Sequence, residues 1–339
     1  MDLSVGALRL ASRLSRVVPV PVGRTVATSL GRLAVTLSGD QRLIAERNMR
    51  RVLGPNATEA QLRRAVRGVF ASYGRYWFDT LRLPALPPAE VADGMTVEGL
   101  HHVTEAVDRG VGPILALPHV GGWEWAGRYL GTELGWRVTA VAEKLEPPEL
   151  YEWFLGLRAE LGMRIIPLGP TAGSESAKAL ADGDVMCLLC DRDLAGSGIE
   201  VEFFGERTTL PGGPALMALR SGSPLLPTAV YFRGRRCHGV VEPPLDTERR
   251  GRLRDDVQRV TQDLAHALER LIRVAPEQWH LLQPNWPSDL EALGRAPEQP
   301  DGPEQPAGTG RLDGPGRAGG TANGSQPADG AEGRPVGSR

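Results

Sequence analysis

Apolar residues in the first 82 positions recur at helical spacing. Across residues 3–18, Leu3, Ala7, Leu10, Leu14 and Val17 fall on one face of a helix, with Arg9, Arg13 and Arg16 on another. Such a helix either lies in a membrane interface or packs as a surface helix on a core, because amphipathic spacing is common to both. Pro19 and Pro21 are expected to end it. Further helical patterns cover 24–37, 41–53 and 58–82. The last closes on an aromatic run, Tyr73, Tyr76, Trp77 and Phe78, expected in the core.

From about residue 98 the texture changes. Short apolar, β-branched runs at Ile114–Leu117, Val138–Ala142, Arg164–Leu168, Val185–Cys190, Leu225–Phe232 and Cys237–Val241 read as strands. Helical patterns at 98–109, 123–134, 147–161, 173–182 and 212–222 lie between them, and a long one follows at 251–274. This alternation predicts an α/β fold with a mixed, mostly parallel sheet flanked by helices. Beyond about Leu293 the chain becomes Gly, Pro, Gln and Ala with few apolar residues, a composition that cannot bury enough surface to fold. Three parts are expected: a helical, basic, membrane-facing segment at 1–82 packed on the catalytic domain, an α/β domain at 83–292, and a disordered tail at 293–339.

Charge sharpens this division. The whole chain of 339 residues carries a formal net charge of only −2, which argues against a protein-wide field for nucleic acid. Residues 1–82, however, hold fourteen Arg, no Lys and five acids, a net of +9. An anionic surface is the natural partner of such a segment. No stretch reaches the roughly 18–20 uninterrupted apolar residues that cross a bilayer, and arginines interrupt the apolar residues of the first sixteen positions, unlike a signal peptide. Three cysteines, Cys187, Cys190 and Cys237, make no disulfide framework and favour a reducing compartment. The expected location is the cytoplasmic face of the inner membrane, peripherally bound.

The chemistry concentrates at residues 112–127, GPILALPHVGGWEWAG. A strand ends at Pro118, His119 follows at its carboxyl end, Gly121 and Gly122 turn the chain, and Trp123 opens a helix. Ligands of open α/β sheets bind at that edge. Glu124, five positions after His119, is where a carboxylate can orient and charge-stabilise the imidazole. His119 then serves as general base toward a substrate hydroxyl that attacks a thioester. The amides around Gly121 and Gly122 are candidates for the oxyanion. The alternative is a core histidine beside a structural acid. A second buried strand ends in Asp191-Arg192-Asp193 before a Gly-Ser-Gly loop. These residues either complete the environment of the base, hold a polar head group, form an Asp-x-Asp metal site, or make a solvated turn. Glu143, Lys144 and Arg158 flank the neighbouring strand and helix, where a phosphate contact and ordinary surface pairing are both open. No Gly-x-Ser-x-Gly elbow, His-Glu-x-x-His helix or Walker-type loop occurs. Cys187 and Cys190 lie within an apolar strand and read as buried thiols rather than redox or metal groups.

At these residues the sequence resembles a known family. HVGGWEWAG is similar to the His-x4-acid motif of the lysophospholipid acyltransferase superfamily, in the form found in its lipid A late-acyltransferase branch. ERNMRRVLG, DRDLAGSGIEVEFFGE, LPGGPALMALRSGSPLLP and QWHLLQPNWPSD resemble further segments of that branch, in order, over about residues 1–290. Within it the resemblance is greatest to the phosphatidylinositol mannoside acyltransferases of high-GC bacteria. The resemblance implies an acyl-CoA donor, with no bound cofactor or metal, and a glycolipid acceptor whose mannose hydroxyl is acylated. It also implies His119 as base, Glu124 as the motif acid, Glu143 and Arg158 near the head group or donor, and Asp191 as the acid assisting His119. Glu is usual at that last position in the mannoside enzymes, so Glu200 stands as its fallback. Two other functions stay open on the residues alone: a metal-dependent glycosyltransferase built on Asp191 and Asp193, and a non-catalytic membrane-binding protein.

Overall fold

A computed structural model of the chain describes residues 5–295, Ala195 apart. Leu3, placed in the first helix by spacing, and positions 296–339 of the tail, expected to be disordered from composition, lie outside the described residues. The described chain begins with four helices, α1 (Val5–Val17), α2 (Val20–Ala34), α3 (Gly39–Leu53) and α4 (Glu59–Arg82). A short α5 (Pro88–Asp93) then leads into β1 (Met95–Glu98), α6 (Leu100–Asp108), β2 (Ile114–Leu117), α7 (Trp123–Thr132) and β3 (Val138–Ala142). Next come α8 (Pro148–Glu160), β4 (Met163–Pro167), α9 (Ala172–Ala181), β5 (Val185–Leu189), β6 (Ile199–Phe203) and β7 (Glu206–Leu210). The sequence of elements closes with α10 (Gly213–Ser221), β8 (Leu225–Arg233), β9 (Arg236–Val241), α11 (Leu253–Val274) and α12 (Pro287–Ala292).

Seven strands form one sheet in the order β1-β9-β8-β2-β5-β3-β4. All neighbours run parallel except β8 and β9. Burial on both faces explains the continuous apolar runs read in the sequence. Alternate residues serve opposite sides: Ile114 and Ala116 of β2 join the core under α9, α10 and α11, while Leu115 and Leu117 join the one under α6 and α7. The second segment of candidate chemistry, after β5, runs into a separate antiparallel hairpin, β6–β7, that the sequence did not foretell. Proline also acts differently from expectation. Pro21 occupies the first turn of α2, where its missing N–H costs nothing, so the Pro19–Pro21 pair starts a helix directly after ending one.

The first two helices pack by their small residues. Leu8, Ser12 and Ser15 of α1 are buried, whereas Leu10, Leu14 and Val17, its apolar stripe, are exposed. On α2, Gly23 is buried against Phe78 of α4 while Val22, Val26, Leu30 and Leu33 face outward. Gly31 and Gly74 let α2 and α4 approach backbone to backbone, for a Cβ on Gly74 would stand 2.2 Å from the carbonyl oxygen of Ala27. Of the two arrangements open to α1, the ordinary one, apolar face on the core, is therefore not adopted.

A second long-range tie joins α3 to the segment 281–289. Arg47 and Arg51 of α3 pair with the fully buried Asp289 of α12 at 2.6 and 2.8 Å, and Asn48 Nδ2 donates to the carbonyl of Leu281 at 2.8 Å. The ERNMRR segment thus holds the QWHLLQPNWPSD segment in place. Because the α2–α4 contact leaves no room for a methyl group, Gly74→Ala should destabilise the fold by about 1–3 kcal/mol. Denaturant unfolding measures this, and an unchanged midpoint would show that the helix pair is looser than described.

Candidate active site

The register of two strands builds the site. β2 and β5 are neighbours, with Leu117 opposite Leu189, and Cys190 N–H donates to the Leu117 carbonyl at 2.8 Å. Two residues further along each chain stand His119 and Asp191. Both continue the parity of side chains that point to the same side of the sheet. His119 Nδ1 and Asp191 Oδ1 are 2.6 Å apart, and the His119 backbone N–H donates to Asp191 Oδ2 at 3.0 Å. Asp191 is fully buried, while the His119 side chain keeps 33% of its surface exposed. Its Nε2 has no hydrogen-bond partner among the described residues. Pairing at Nδ1 and access at Nε2 are what a general base requires.

Burial opposes ionisation of Asp191, but the charge of His119 and the hydrogen bonds from His119 and Trp279 outweigh it and hold the carboxyl below its ordinary range. The Trp279 indole N–H donates to Asp191 Oδ2 at 2.7 Å, and Asn285 Nδ2 donates to the Asp191 carbonyl at 3.1 Å. His280 follows Trp279. Burial first, then the nearby His119, pushes its imidazole down to about 3, so it is neutral at physiological pH. Its Nε2 pairs with Ser72 Oγ at 2.9 Å.

Glu124 is placed differently from the expectation. It does not hydrogen-bond His119; that partner is Asp191. Glu124 is 1% exposed and accepts from the Tyr76 hydroxyl at 2.5 Å, with Arg158 at 3.9 Å. Its Oε2 is buried without a hydrogen-bond partner among the described residues. Burial raises its carboxyl to about 7 despite the opposing pull of Arg158, Tyr76, its own amide and His119. Arg158 lies over the Trp123 ring at 5.0 Å. Tyr73 and Tyr76 of α4 stack at 5.9 Å, and each ring is 5.4 Å from His280. The aromatic run expected in the core is only half-buried, and its two tyrosines stand beside His280, with Tyr76 on Glu124.

Other expectations are corrected by geometry. Gly121 N–H donates to the Gln278 carbonyl and Gly122 N–H to the Val230 carbonyl, at 3.0 and 3.1 Å, so neither amide is available to an oxyanion. Gly121 is required for another reason. Its φ is +61°, and a Cβ would meet the Val230 oxygen at 1.9 Å. Asp193 does not converge with Asp191: its Oδ2 accepts from Gly198 N–H at 2.7 Å and from Thr209 Oγ1 at 3.0 Å, bracing the hairpin. Among the described residues no group of three or more His, Cys, Asp or Glu gathers as metal ligands. Glu200, the fallback acid, is exposed and pairs with Arg207 at 3.4 Å. Arg192 is half-buried beside Asp191, without an ion pair among the described residues, and Glu143 is exposed just past β3. Cys187 and Cys190 are free thiols that burial pushes up, Cys187 to about 12.

Sequence reasoning missed Tyr76, Trp279 and Asn285 as members of this site. Their contacts span 48, 88 and 94 positions, and no local periodicity encodes such distances. The only signal was the polar–aromatic texture of QWHLLQPNW, unusual for a plain turn.

A family model described as bacterial lipid A biosynthesis acyltransferase matches residues 7–288. The chain is 37% identical over 289 residues to the phosphatidylinositol mannoside acyltransferase of Mycolicibacterium smegmatis, covering 84% of this chain and 91% of that protein. It is 39% identical over 260 residues to the phosphatidylinositol mannoside acyltransferase of Mycobacterium tuberculosis strain H37Rv, covering 74% of this chain and 78% of that one.

The raised Glu124 carboxyl has a thermodynamic consequence. Between its unfolded value of 4.5 and its folded value of about 7, the native state holds a proton that the unfolded state has lost. Glu124 therefore costs stability as pH rises through that window. Glu124→Gln should match the wild type below pH 4.5 and be the more stable protein above pH 7. Unfolding midpoints at the two pH extremes read this difference, and equal midpoints at both would place Glu124 in water.

Proposed function

The chain belongs to the bacterial lipid A biosynthesis acyltransferase family, and from that membership and the site we propose that it acylates a membrane glycolipid. The donor is acyl-CoA and the acceptor a hydroxyl on the mannose of a phosphatidylinositol mannoside. The single observation that carries the reading is His119, tied at Nδ1 to a buried carboxylate and open at Nε2.

In the reaction, Nε2 removes the proton of the acceptor hydroxyl as its oxygen attacks the thioester carbonyl. Asp191 stabilises the imidazolium that forms, and being buried it gains strength from the low local dielectric. The tetrahedral intermediate collapses with cleavage of the carbon–sulfur bond. The CoA thiolate leaves and takes the proton from Nε2, which restores the base. Both the ester and the free thiol are then complete without any internal nucleophile. Glu124 holds Tyr76 and Arg158 together as one wall of the site. Arg192 and Arg158 supply positive charge for the phosphates of donor or acceptor, with Glu143 at the outer rim of the same edge. The amides of Gly121 and Gly122 and the carboxylate of Asp193 take no part, being committed to the fold.

The reaction takes place at the cytoplasmic face of the inner membrane, with the protein bound peripherally. No helix among the described residues is long and apolar enough to cross a bilayer. Instead α1 and α2 present Leu10, Leu14, Val17, Val22, Val26, Leu30 and Leu33 outward, Val17 being 77% exposed. Arg9, Arg13 and Arg16 are exposed alongside this stripe. Exposed apolar faces of this kind, flanked on α1 by arginines, fit an anionic lipid surface, where the side chains enter the interface and the guanidiniums meet phosphates.

His119→Ala should lower acyl transfer from acyl-CoA to purified mannosylated phosphatidylinositol by at least about 10²–10⁴-fold. Retention of most of the wild-type rate refutes the base assignment. Leu14→Gln with Leu30→Gln should weaken binding to vesicles of anionic phospholipid about tenfold or more, since each buried leucine contributes roughly 1.5–3 kcal/mol. Unaltered vesicle binding would mean that another face meets the membrane.

A further inference from the structure

The segment from Gln278 to Asp289 lies outside the His-x4-acid motif, yet it touches both members of the His119–Asp191 pair. Val120 and Trp279 form an antiparallel bridge, Gly121 N–H donates to the Gln278 carbonyl at 3.0 Å, and His280 N–H donates to the His119 carbonyl at 2.8 Å. The strap therefore grips the backbone on which His119 sits. On the other side, the Trp279 indole and the Asn285 amide reach Asp191. The strap is itself fixed, by Arg47 and Arg51 on Asp289 and by Asn48 on the Leu281 carbonyl.

An aspartate held only through Oδ1 can turn about two torsions, and a turn of a few tens of degrees breaks its bond to Nδ1. Here Oδ2 accepts two further donors, the His119 backbone N–H at 3.0 Å and the Trp279 indole at 2.7 Å. The indole cannot follow a rotating carboxylate. It is 1% exposed and packed against Phe204 at 5.6 Å and edge-on to Phe203 and Trp286 at 6.2 and 6.4 Å. We infer that Trp279 is a positioning residue for the proposed transfer: its N–H shares the charge of Asp191 and fixes the carboxylate in the orientation that keeps Oδ1 on His119. Trp279 touches no substrate and acts only through Asp191, so the inference rests on the assignment of His119 as base.

The test uses the full chain and the same acyl-CoA assay. Trp279→Phe removes the donor and part of the ring, and kcat should fall about 10–100-fold, the usual cost of losing a partner that orients a reacting group, with KM unchanged. A second replacement guards against a folding defect: the benzothiophene analogue of tryptophan at position 279 keeps the ring's shape and puts sulfur where N–H was. The ring's own packing is preserved while the N–H is lost, so more of the carboxylate charge is left to His119, which stabilises the imidazolium. The acidic limb of the pH profile of kcat/KM should then move to higher pH. Wild-type kcat and an unmoved limb in both variants overturn the inference. So does a loss in Trp279→Phe alone, with the analogue at the wild-type rate and its limb unmoved, because packing alone explains it. His119→Ala measured alongside separates the two claims. If it retains transfer, the base assignment has failed and the inference with it, whatever Trp279 does. If it is inactive while both position-279 variants behave as wild type, only the role of Trp279 has failed.

Discussion

The hydrogen bond between His119 and Asp191 is the contact on which the site turns, and it is a product of strand register. Parallel pairing of β2 with β5 sets Leu117 opposite Leu189, and the next residues of like parity are the imidazole and the carboxylate. A one-residue slip would send either side chain to the opposite face of the sheet and dissolve the pair. That register is fixed by apolar residues buried on both sides of β2 and β5, so the core of the protein and its chemistry share one constraint. Gly121 belongs to the same constraint. Its positive φ and its contact with the Val230 carbonyl let the chain leave β2 tightly enough for α7 to begin at Trp123.

The N-terminal helices solve a different problem. A water-facing helix ordinarily buries its apolar stripe, but α1 and α2 bury Leu8, Ser12, Ser15 and Gly23 and leave Leu10, Leu14, Val17, Val22, Val26, Leu30 and Leu33 outside. Small residues give close backbone contact without consuming the large apolar side chains, which stay available for another apolar phase. The helix on which α1 and α2 rest, α4, is also the one that carries the tyrosines beside His280 and Glu124.

Much of this was legible in the chain. The alternation of short apolar runs with helical patterns foretold the α/β sheet, and the strand-His-Gly-Gly-helix texture located His119 at a strand's carboxyl end. Position along the sequence misled where two acids competed. Glu124 lies five residues from His119 and Asp191 lies 72 away, yet the parallel pairing makes the distant acid the partner. Spacing also cannot report what a backbone amide is already bonded to, which is why Gly121 and Gly122 looked like oxyanion donors. The outward turn of α1 was equally hidden, because the spacing of Leu10, Leu14 and Val17 marks an apolar face without saying what covers it. The roles of ERNMRR and QWHLLQPNW emerge only when Arg47, Arg51 and Asp289 meet across about 240 residues.

Everything in the mechanism requires that Asp191 fix the tautomer of His119, leaving the proton on Nδ1 and the lone pair on Nε2. Nitrogen-15 spectroscopy of the histidine ring at neutral pH reads this directly. An Nδ1–H tautomer is expected in the wild type, and its loss in Asp191→Asn. An Nε2–H tautomer in the wild type, or one indifferent to that substitution, would contradict the pairing of base and acid.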